Sequence, residues 1–124
     1  MKNDLPPAPG LPAEAQDLPL SGIRVLDFTQ VMMGPVCTQM LADYGADILK
    51  IERKGAGDLS RSTFEPVHGA DNPIFCSLNR NKRSAAIDLR NTEQIAAVRA
   101  LITDADVPAF ARALAMRPES LETV

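Results

Sequence analysis

The sequence predicts an α/β fold in which helices flank a parallel β-sheet, and three observations support that prediction. Two apolar, β-branched runs, at residues 23–28 and 46–52, are typical of buried strands. A segment with helical spacing of apolar residues separates them, and Gly45 stands where its C-terminal cap is expected. A strand, a helix and a strand within about thirty residues form a βαβ unit, which makes the two strands parallel.

Composition limits the chain to one globular domain at most and excludes several classes of function. Hydrophobic residues make up 45% of the 124 residues and charged residues 23%, which is ordinary for a globular protein. Aromatic residues reach only 4% and there is no Trp, which argues against a stacking surface for nucleic acid. The formal net charge is -3, so anion binding requires a local cluster of basic residues.

Cysteine and histidine usage predicts neither a metal site nor a disulfide. Cys37 and Cys76 form no C-x-x-C pair, and His68 is the single histidine of the chain. Two separate thiols are typical of a reducing compartment. No stretch reaches the eighteen apolar residues of a membrane span. We therefore expect a cytoplasmic protein without a nucleic-acid or membrane partner.

The first half of the chain divides into a leader, two strands and one helix. Residues 1–19 contain four prolines among the first twelve residues and no apolar core of an export signal, so a disordered leader is expected. After the first strand, Pro35 occupies a favourable first helical position. One face of that helix is expected to be apolar and to comprise Val36, Met40 and Tyr44, with Cys37 and Leu41 beside them.

The second half predicts a loop, a third strand and a second amphipathic helix. Residues 53–73 are rich in Gly, Pro and charge and predict a long surface loop, which is uncommon in a compact domain unless it is functional. Residues 74–79 fit a short strand or a turn of helix, and residues 84–89 fit a third strand. A helix follows with Asn91 or Thr92 as its N-cap, and its apolar face comprises Ile95, Val98, Leu101 and Ile102. Beyond Val107 the pattern weakens, although a helix through Met116 is possible.

A dinucleotide site is the first alternative that such a βαβ unit raises. The spacing from Asp27 to Glu52 suits an acidic residue that holds a ribose. The intervening loop, "TQVMMGP", has one glycine and lacks G-x-G-x-x-G, so NAD or FAD binding is not favoured. Arg53 and Lys54 follow directly and suit a phosphate, although both also fit ordinary solvated loop charges.

Several motifs, taken together and in order, resemble the N-terminal part of the family III CoA-transferases. They are L-x-G-I-x-V-L-D, G-P-x-C, L-A-D-x-G-A-D-I-x-K-I-E-R, G-x-G-D and N-R-N-K-R-S. That family includes formyl-CoA:oxalate and carnitine CoA-transferases, with α-methylacyl-CoA racemases as relatives. The resemblance runs from about Pro19 to Val107. It implies a Rossmann-like, CoA-binding part at residues 20–107, which is an incomplete N-terminal part of a larger domain, and a divergent tail at residues 108–124.

The resemblance also implies which residues contact CoA. In this family CoA and acyl-CoA are substrates, and no prosthetic group is expected. These CoA-binding positions are Gln30, Val31, Met32 and Met33 after the first strand, Arg53 after the second, and Ile87, Asp88, Leu89 and Arg90 after the third. Arginines suit phosphate oxygens, and the apolar side chains suit adenine or pantetheine. For the neighbouring Arg80, Lys82 and Arg83, ligand contact and structural ion pairing both remain open.

The resemblance implies CoA transfer between an acyl-CoA and a carboxylic acid through an aspartyl-CoA intermediate. Its nucleophilic aspartate is expected beyond residue 124, so we expect no catalytic residue here, an inactive isolated chain and a truncated product. Seven aspartates within or beside the matched segments are interpreted as caps, turns or structural partners: Asp27, Asp43, Asp47, Asp58, Asp88, Asp104 and Asp106. A non-catalytic CoA-binding fragment and a racemase fragment are the alternatives. Full-length family members imply an intertwined homodimer.

Overall fold

The computed structural model describes residues 18–63 and 72–109, which form a parallel sheet with helices packed on it. Its strands are β1 (Arg24–Asp27), β2 (Asp47–Arg53), β3 (Lys82–Ile87) and β4 (Val107–Ala109). Its helices are α1 (Met33–Asp43), α2 (Pro73–Asn79) and α3 (Thr92–Asp104), with a 3₁₀ helix at Leu59–Arg61. The predicted α/β fold is confirmed, whereas most of the predicted leader and the predicted helix through Met116 lie outside the described residues.

The four strands lie in the order β3-β2-β1-β4, and every neighbouring pair is parallel. In this register Leu26 pairs with Leu49 of β2 and with Pro108 of β4, and Leu49 pairs with Arg83 of β3. The chain therefore proceeds outward from β1 to β3 and then returns to the opposite side of β1. Such a reversal opens a crevice at the carboxyl ends of the two strands that flank it, here β1 and β4.

A small apolar cluster between α1 and the sheet anchors the fold. Val25, Ala42, Ala46 and Ile48 are buried there, and three half-buried side chains pack against them: Leu20, Ile23 and Leu41. Alanine on the helix side lets α1 approach the strands closely. This cluster packs the end of α1 onto β1 and β2.

Gly45 ends α1 as the sequence predicts. Its φ is +99°, in the left-handed region that favours glycine, and its N–H donates to the carbonyl oxygen of Ala42 at 2.9 Å. A Cβ at this position would lie 2.6 Å from Cβ of Leu18, closer than side-chain atoms pack. The chain can therefore turn directly from α1 into β2.

The predicted apolar face of α1 is partly wrong, although Leu41 packs against the core cluster and Val36 is half-buried. Met40 and Tyr44 are each 55% exposed and Cys37 is exposed, while the buried positions are Pro35, Thr38, Gln39 and Ala42. The sheet-facing side uses small or polar residues because Thr38 Oγ1 donates to buried Asp27 Oδ2 at 2.7 Å. Apolar spacing identified the helix but not the face that packs on the sheet.

The segments around α2 and α3 refine the remaining predictions. Residues 74–79 lie in a helix, whose N-cap is Asn72, and the cap of α3 is Asn91 and not Thr92. Val98 is the buried member of the predicted α3 face, and the other three members are half-buried. The long surface loop predicted from Arg53 is partly wrong, because Asp58 and Ser60 are buried. Within the described residues no helix has the length and apolarity needed to cross a membrane.

Candidate functional site

The predicted CoA-binding residues all lie at the carboxyl edge of the sheet. Residues 30–33 span the turn after β1 and the first residue of α1, Arg53 ends β2, and residues 87–90 end β3 and continue into the next turn. Because the strands are parallel, these ends share one edge. With strands spaced about 4.8 Å apart, β1 and β3 are separated by about 10 Å. The structure therefore brings three separated segments together along one edge.

The turn after β3 is tied to the end of β2. Arg53 pairs with Ile87 in the strand register, and the backbone N–H of Lys54 donates to the carbonyl oxygen of Ile87 at 3.0 Å. The strands β2 and β3 therefore end at paired positions, Arg53 and Ile87. Two of the predicted contact segments consequently lie directly side by side.

Cationic side chains are available at this edge. Arg53 is exposed, and no carboxylate in the described part of the chain pairs with its guanidinium. The side chain of Arg90 is 92% exposed, and its Nε lies 3.2 Å from Asp88 Oδ1. The backbone N–H and then the side chain of Arg90 hold the pKa of Asp88 below its usual value. Such an exposed ion pair is weak and leaves Arg90 able to take another anion.

Apolar side chains stand beside these cations. Met33 is 81% exposed, Val31 and Met32 are exposed, and so is Leu89, while Ile87 is half-buried. Isolated exposed apolar residues are normal, but here they follow strands that end at one edge of the sheet. The edge thus offers both charge and polarizable surface.

Val31 adopts a backbone conformation that is rare for its residue type. Its φ is +72°, and β-branched side chains are strongly disfavoured in that region. Its N–H donates to Oδ1 of Asp58 at 3.1 Å. A residue 27 positions away therefore holds the turn after β1.

Asp58 belongs to a buried polar cluster beneath this turn. Its Oδ2 lies 2.8 Å from Lys50 Nζ, and its Oδ1 accepts from both the backbone N–H and the hydroxyl of Ser60 at 2.8 Å. Burial raises the pKa of Asp58, but Lys50 and the Ser60 and Val31 donors outweigh it and lower that pKa to about 2. Asp58 is consequently a carboxylate at neutral pH.

Glu52 is the second buried acid near the edge, and it is fully paired. Arg61 donates to both of its oxygens, at 2.7 and 2.8 Å, and the Ser84 hydroxyl donates at 2.6 Å. The N–H of Asp58 donates to Oε2 at 2.9 Å. Burial raises the pKa of Glu52, yet these donors lower it to about 2. Glu52 is therefore committed to structure and cannot act as the ribose-binding acid of a dinucleotide site.

The G-x-G-D motif makes this pairing possible. Gly57 has a φ of +67°, and a Cβ on it would lie 2.7 Å from Arg61 Cδ and 2.9 Å from Glu52 Oε2. Only glycine lets the backbone pass this close to the Glu52–Arg61 pair. The close approach of the backbone at Gly57 places the Asp58 carboxylate next to Lys50 Nζ.

The basic residues of N-R-N-K-R-S are structural in this fold. The side chain of Lys82 is buried, and its Nζ lies 3.2 Å from Asp27 Oδ2. Arg80 pairs with Asp43, and Arg83 Nε donates to Asp47 at 2.8 Å. These residues precede or begin β3, at the edge of the sheet opposite to the predicted contacts. The positive charge concentrated in this motif therefore serves mainly to balance buried and half-buried acids.

Each of the seven aspartates interpreted as structural has such a role. The side chains of six of them pair with a basic side chain: Asp27 with Lys82, Asp43 with Arg80, Asp47 with Arg83, Asp58 with Lys50, Asp88 with Arg90 and Asp104 with Arg24. The seventh, Asp106, accepts from the backbone N–H of Arg24 at 2.9 Å. The interpretation of these seven aspartates as structural partners therefore agrees with their contacts.

Sequence reasoning interpreted Asp58 as structural but missed Lys50 and its pairing with Asp58, although a signal was present. Lys50 and Glu52 alternate within an otherwise apolar strand, so both project from the same face of the sheet. Charges on a buried face must be paired. The sequence between this strand and α2 supplies the partners, Asp58 and Arg61.

Comparison with known proteins decides the family. The model of CoA-transferase family III matches residues 20–120. This chain belongs to CoA-transferase family III. The match covers most of the chain, continues past residue 107 and confirms the resemblance seen in the motifs.

Curated relatives of this CoA-transferase family III chain are considerably longer than it. It is 48% identical over 88 residues to formyl-CoA:oxalate CoA-transferase of Afipia carboxidovorans. These 88 residues make up 71% of this chain and 21% of that enzyme. It is 46% identical over 88 residues to formyl-CoA:oxalate CoA-transferase of Rhodopseudomonas palustris, and this match again covers 71% of this chain and 21% of that enzyme. The chain therefore spans about a fifth of the length of the curated relatives it matches.

Solved structures share the fold of this family III chain. The crystal structure of a hypothetical protein from Mycobacterium tuberculosis superposes with a TM-score of 0.70 at 36% identity, over 85% of this chain and 27% of that one. A CAIB/BAIF family protein from Brucella suis superposes with a TM-score of 0.66 at 38% identity, over 73% of this chain and 25% of that one.

Proposed function

We propose that the carboxyl edge of this sheet binds the CoA moiety of an acyl-CoA, within an acyl-CoA:carboxylate CoA-transferase. The observation that carries the proposal is the convergence of three segments: the turn after β1, the end of β2 and the turn after β3. The crevice beside β1 is where open parallel sheets commonly take ligands. Membership of the family supports the same ligand.

The charges at this edge suit the phosphates of CoA. CoA carries a pyrophosphate and a 3′-phosphate, and guanidinium groups pair with phosphate oxygens through charge-assisted hydrogen bonds. Arg53 has no carboxylate partner among the described residues, and Arg90 has a weak one. The buried acids nearby do not oppose an incoming anion strongly, because Lys50 and Arg61 compensate Asp58 and Glu52.

The apolar residues suit the uncharged parts of the same ligand. Val31 and Met32 follow β1 and Ile87 ends β3, on either side of Arg53 at the end of β2, and these side chains suit packing of adenine or the pantetheine arm. A CoA molecule is long enough to reach from one strand end to the next. One ligand can therefore use all three segments.

The reaction that we propose for the whole enzyme proceeds by nucleophilic catalysis. An aspartate carboxylate attacks the acyl-CoA thioester and releases CoA thiolate, leaving an acyl-aspartate anhydride. The thiolate then attacks the aspartyl carbonyl of the anhydride, which releases the acyl group as a carboxylate and leaves an aspartyl-CoA thioester. The acceptor carboxylate attacks that thioester, which releases CoA thiolate and forms a second anhydride. The thiolate then attacks the acceptor carbonyl of this anhydride, giving the product acyl-CoA and the free aspartate carboxylate. The seven paired aspartates described above are unsuited to that attack, so we assign this part of the chain to CoA binding. We further propose the intertwined homodimer of the family as the working assembly.

Calorimetric titration tests the binding proposal. CoA and pantetheine, which lacks all phosphates, are titrated into the chain at low and at moderate salt. We expect CoA to bind more tightly than pantetheine, and the difference to shrink as salt rises. Equal affinities, or no binding of CoA, would refute the proposal.

A further inference from the structure

The turn after β1 rests on a buried ion pair that the proposed function does not place in contact with CoA. Lys50 and Asp58 are joined at 2.8 Å, and their side chains are 1% and 0% exposed. Lys50 Nζ also donates to the carbonyl oxygen of Thr29 at 2.7 Å, and Asp58 Oδ1 accepts from the N–H of Val31. We call these four residues the turn lock. It ties both flanks of Gln30 to one fixed point.

The turn lock holds a conformation that the local sequence does not favour. Val31 has a φ of +72°, and a β-branched residue does not choose that region without external restraint. Among the described residues, the carboxylate of Asp58 is the only group bonded to the Val31 N–H. Removing that acceptor should let the turn relax toward negative φ.

Asp58 is itself rigidly placed. Two donors of Ser60 and the ammonium of Lys50 fix its carboxylate, and its backbone N–H is bound to Glu52. The side chain of Asp58 therefore connects the turn after β1 to the rigid strand β2. Preformed binding loops lose less conformational freedom when a ligand binds.

We propose that Asp58, paired with Lys50, is a positioning residue that holds the turn after β1 in the conformation that takes CoA. This inference rests on the proposed function and deepens it, because it names what shapes one wall of that site. Asp58 acts through Val31 and does not itself contact the ligand.

Two double variants isolate the acceptor of the turn lock. Lys50→Met with Asp58→Asn removes both charges but keeps a side-chain oxygen for the Val31 N–H. Lys50→Met with Asp58→Ala removes the charges and the oxygen together. Because neither variant leaves a buried lysine unpaired, both avoid the largest folding penalty. Lys50→Met with Asp58→Val replaces the second variant if that one does not fold.

We expect the Asp58→Ala double variant to bind CoA about five- to thirtyfold more weakly than the Asp58→Asn double variant. NMR supplies the second measurement, because a strong intraresidue HN–Hα NOE marks positive φ. We expect that NOE for Val31 in the parent chain and in the Asp58→Asn double variant, and its loss in the Asp58→Ala double variant.

Val31→Gly, introduced into both double variants, separates positioning from general stability. Glycine adopts positive φ without strain, so the affinity gap between the two backgrounds should narrow to about twofold or less. An undiminished gap would contradict an action through Val31.

Equal CoA affinity of the two double variants, or a Val31 without the NOE in the parent chain, would overturn the inference. A parent chain that does not bind CoA would instead overturn the proposed function and the ligand-binding half of this inference. In that case the NOE comparison alone still decides whether Asp58 holds the turn. The two failures are thus distinguishable.

Discussion

The ammonium of Lys50 and the carboxylate of Asp58 meet at 2.8 Å in a site that solvent does not reach. Lys50 lies in the centre of β2, and Asp58 arrives from the G-x-G-D motif that follows the strand. Removing one partner of a buried ion pair leaves the other charge buried and unpaired, which costs more stability than losing an exposed pair.

We expect Asp58→Ala to lower the free energy of unfolding by about 3 to 5 kcal/mol, because Lys50 is left buried without its counter-ion. Adding Lys50→Met should recover part of that loss. Urea unfolding measures both changes. The matched control is Asp43→Ala, which breaks the half-exposed pair with Arg80 and should cost less than about 1 kcal/mol. Equal losses for Asp58→Ala and the control would contradict the buried pair.

Stability should depend on pH through Glu52 and Asp58. Their pKa values are lowered to about 2 in the fold from ordinary values of 4.5 and 3.8. The unfolded chain therefore binds more protons between these limits, so the fold loses stability as the pH falls from about 4.5 to about 2. The loss should amount to a few kcal/mol, because lowering a pKa by one pH unit stabilises the charged fold by about 1.4 kcal/mol.

Urea midpoints across that pH range provide the measurement. Glu52→Gln should make the dependence shallower, because the amide does not titrate. A midpoint that stays constant between pH 4.5 and pH 2 would show that these carboxylates are not stabilised by their partners in the fold.

The exposed side of α1 should tolerate charge. Met40→Lys is expected to change the free energy of unfolding by less than about 0.5 kcal/mol, because Met40 is more than half exposed. Ala42→Lys should unfold the chain or cost several times more, since Ala42 lies in the core cluster. Thermal or urea unfolding compares the two. A severe effect of Met40→Lys would mean that the predicted apolar face is buried after all.

The isolated chain should not transfer CoA. Six of the seven described aspartates pair with a basic side chain and the seventh accepts a backbone N–H, so we interpret all seven as structural and expect none of them to attack a thioester. Mass spectrometry of acyl-CoA exchange between an acyl-CoA and a carboxylic acid checks this expectation. Turnover that persists through purification and disappears with one aspartate substitution would disprove it.

The sequence predicted the first two strands well because their β-branched and apolar residues are typical of buried strands. Residues 23–28 and 46–52 each lie within one residue or two of the observed strands. The third strand, predicted at residues 84–89, lies two residues earlier at Lys82–Ile87, and β4 was not predicted. The packing of α1 could not be predicted in the same way, because Thr38 is buried for its hydrogen bond to Asp27 and not for its hydrophobicity. Apolar periodicity does not report such a contact.

The predicted contact positions lie along one edge of the sheet, but the group that shapes the turn after β1 was not predicted. Asp58 is 27 residues from Val31 in sequence, and only the fold reveals that they touch. Likewise, the positive φ of Val31 has no local signal, since valine is among the residues least expected to adopt it. Long-range polar contacts thus remain the part of the site that sequence patterns do not reveal.

Calorimetric titration of CoA into Arg53→Ala, Arg90→Ala and Arg80→Ala tests most directly whether the strand ends bind the phosphates of CoA. Arg80 is the matched control because it pairs with Asp43 at the opposite edge of the sheet. We predict that Arg53→Ala and Arg90→Ala each weaken CoA binding, with a loss of about 1 to 3 kcal/mol at Arg53, and that Arg80→Ala changes it by less than about 0.5 kcal/mol. Equal losses at all three positions, or an unchanged affinity in Arg53→Ala, would contradict phosphate binding at the strand ends.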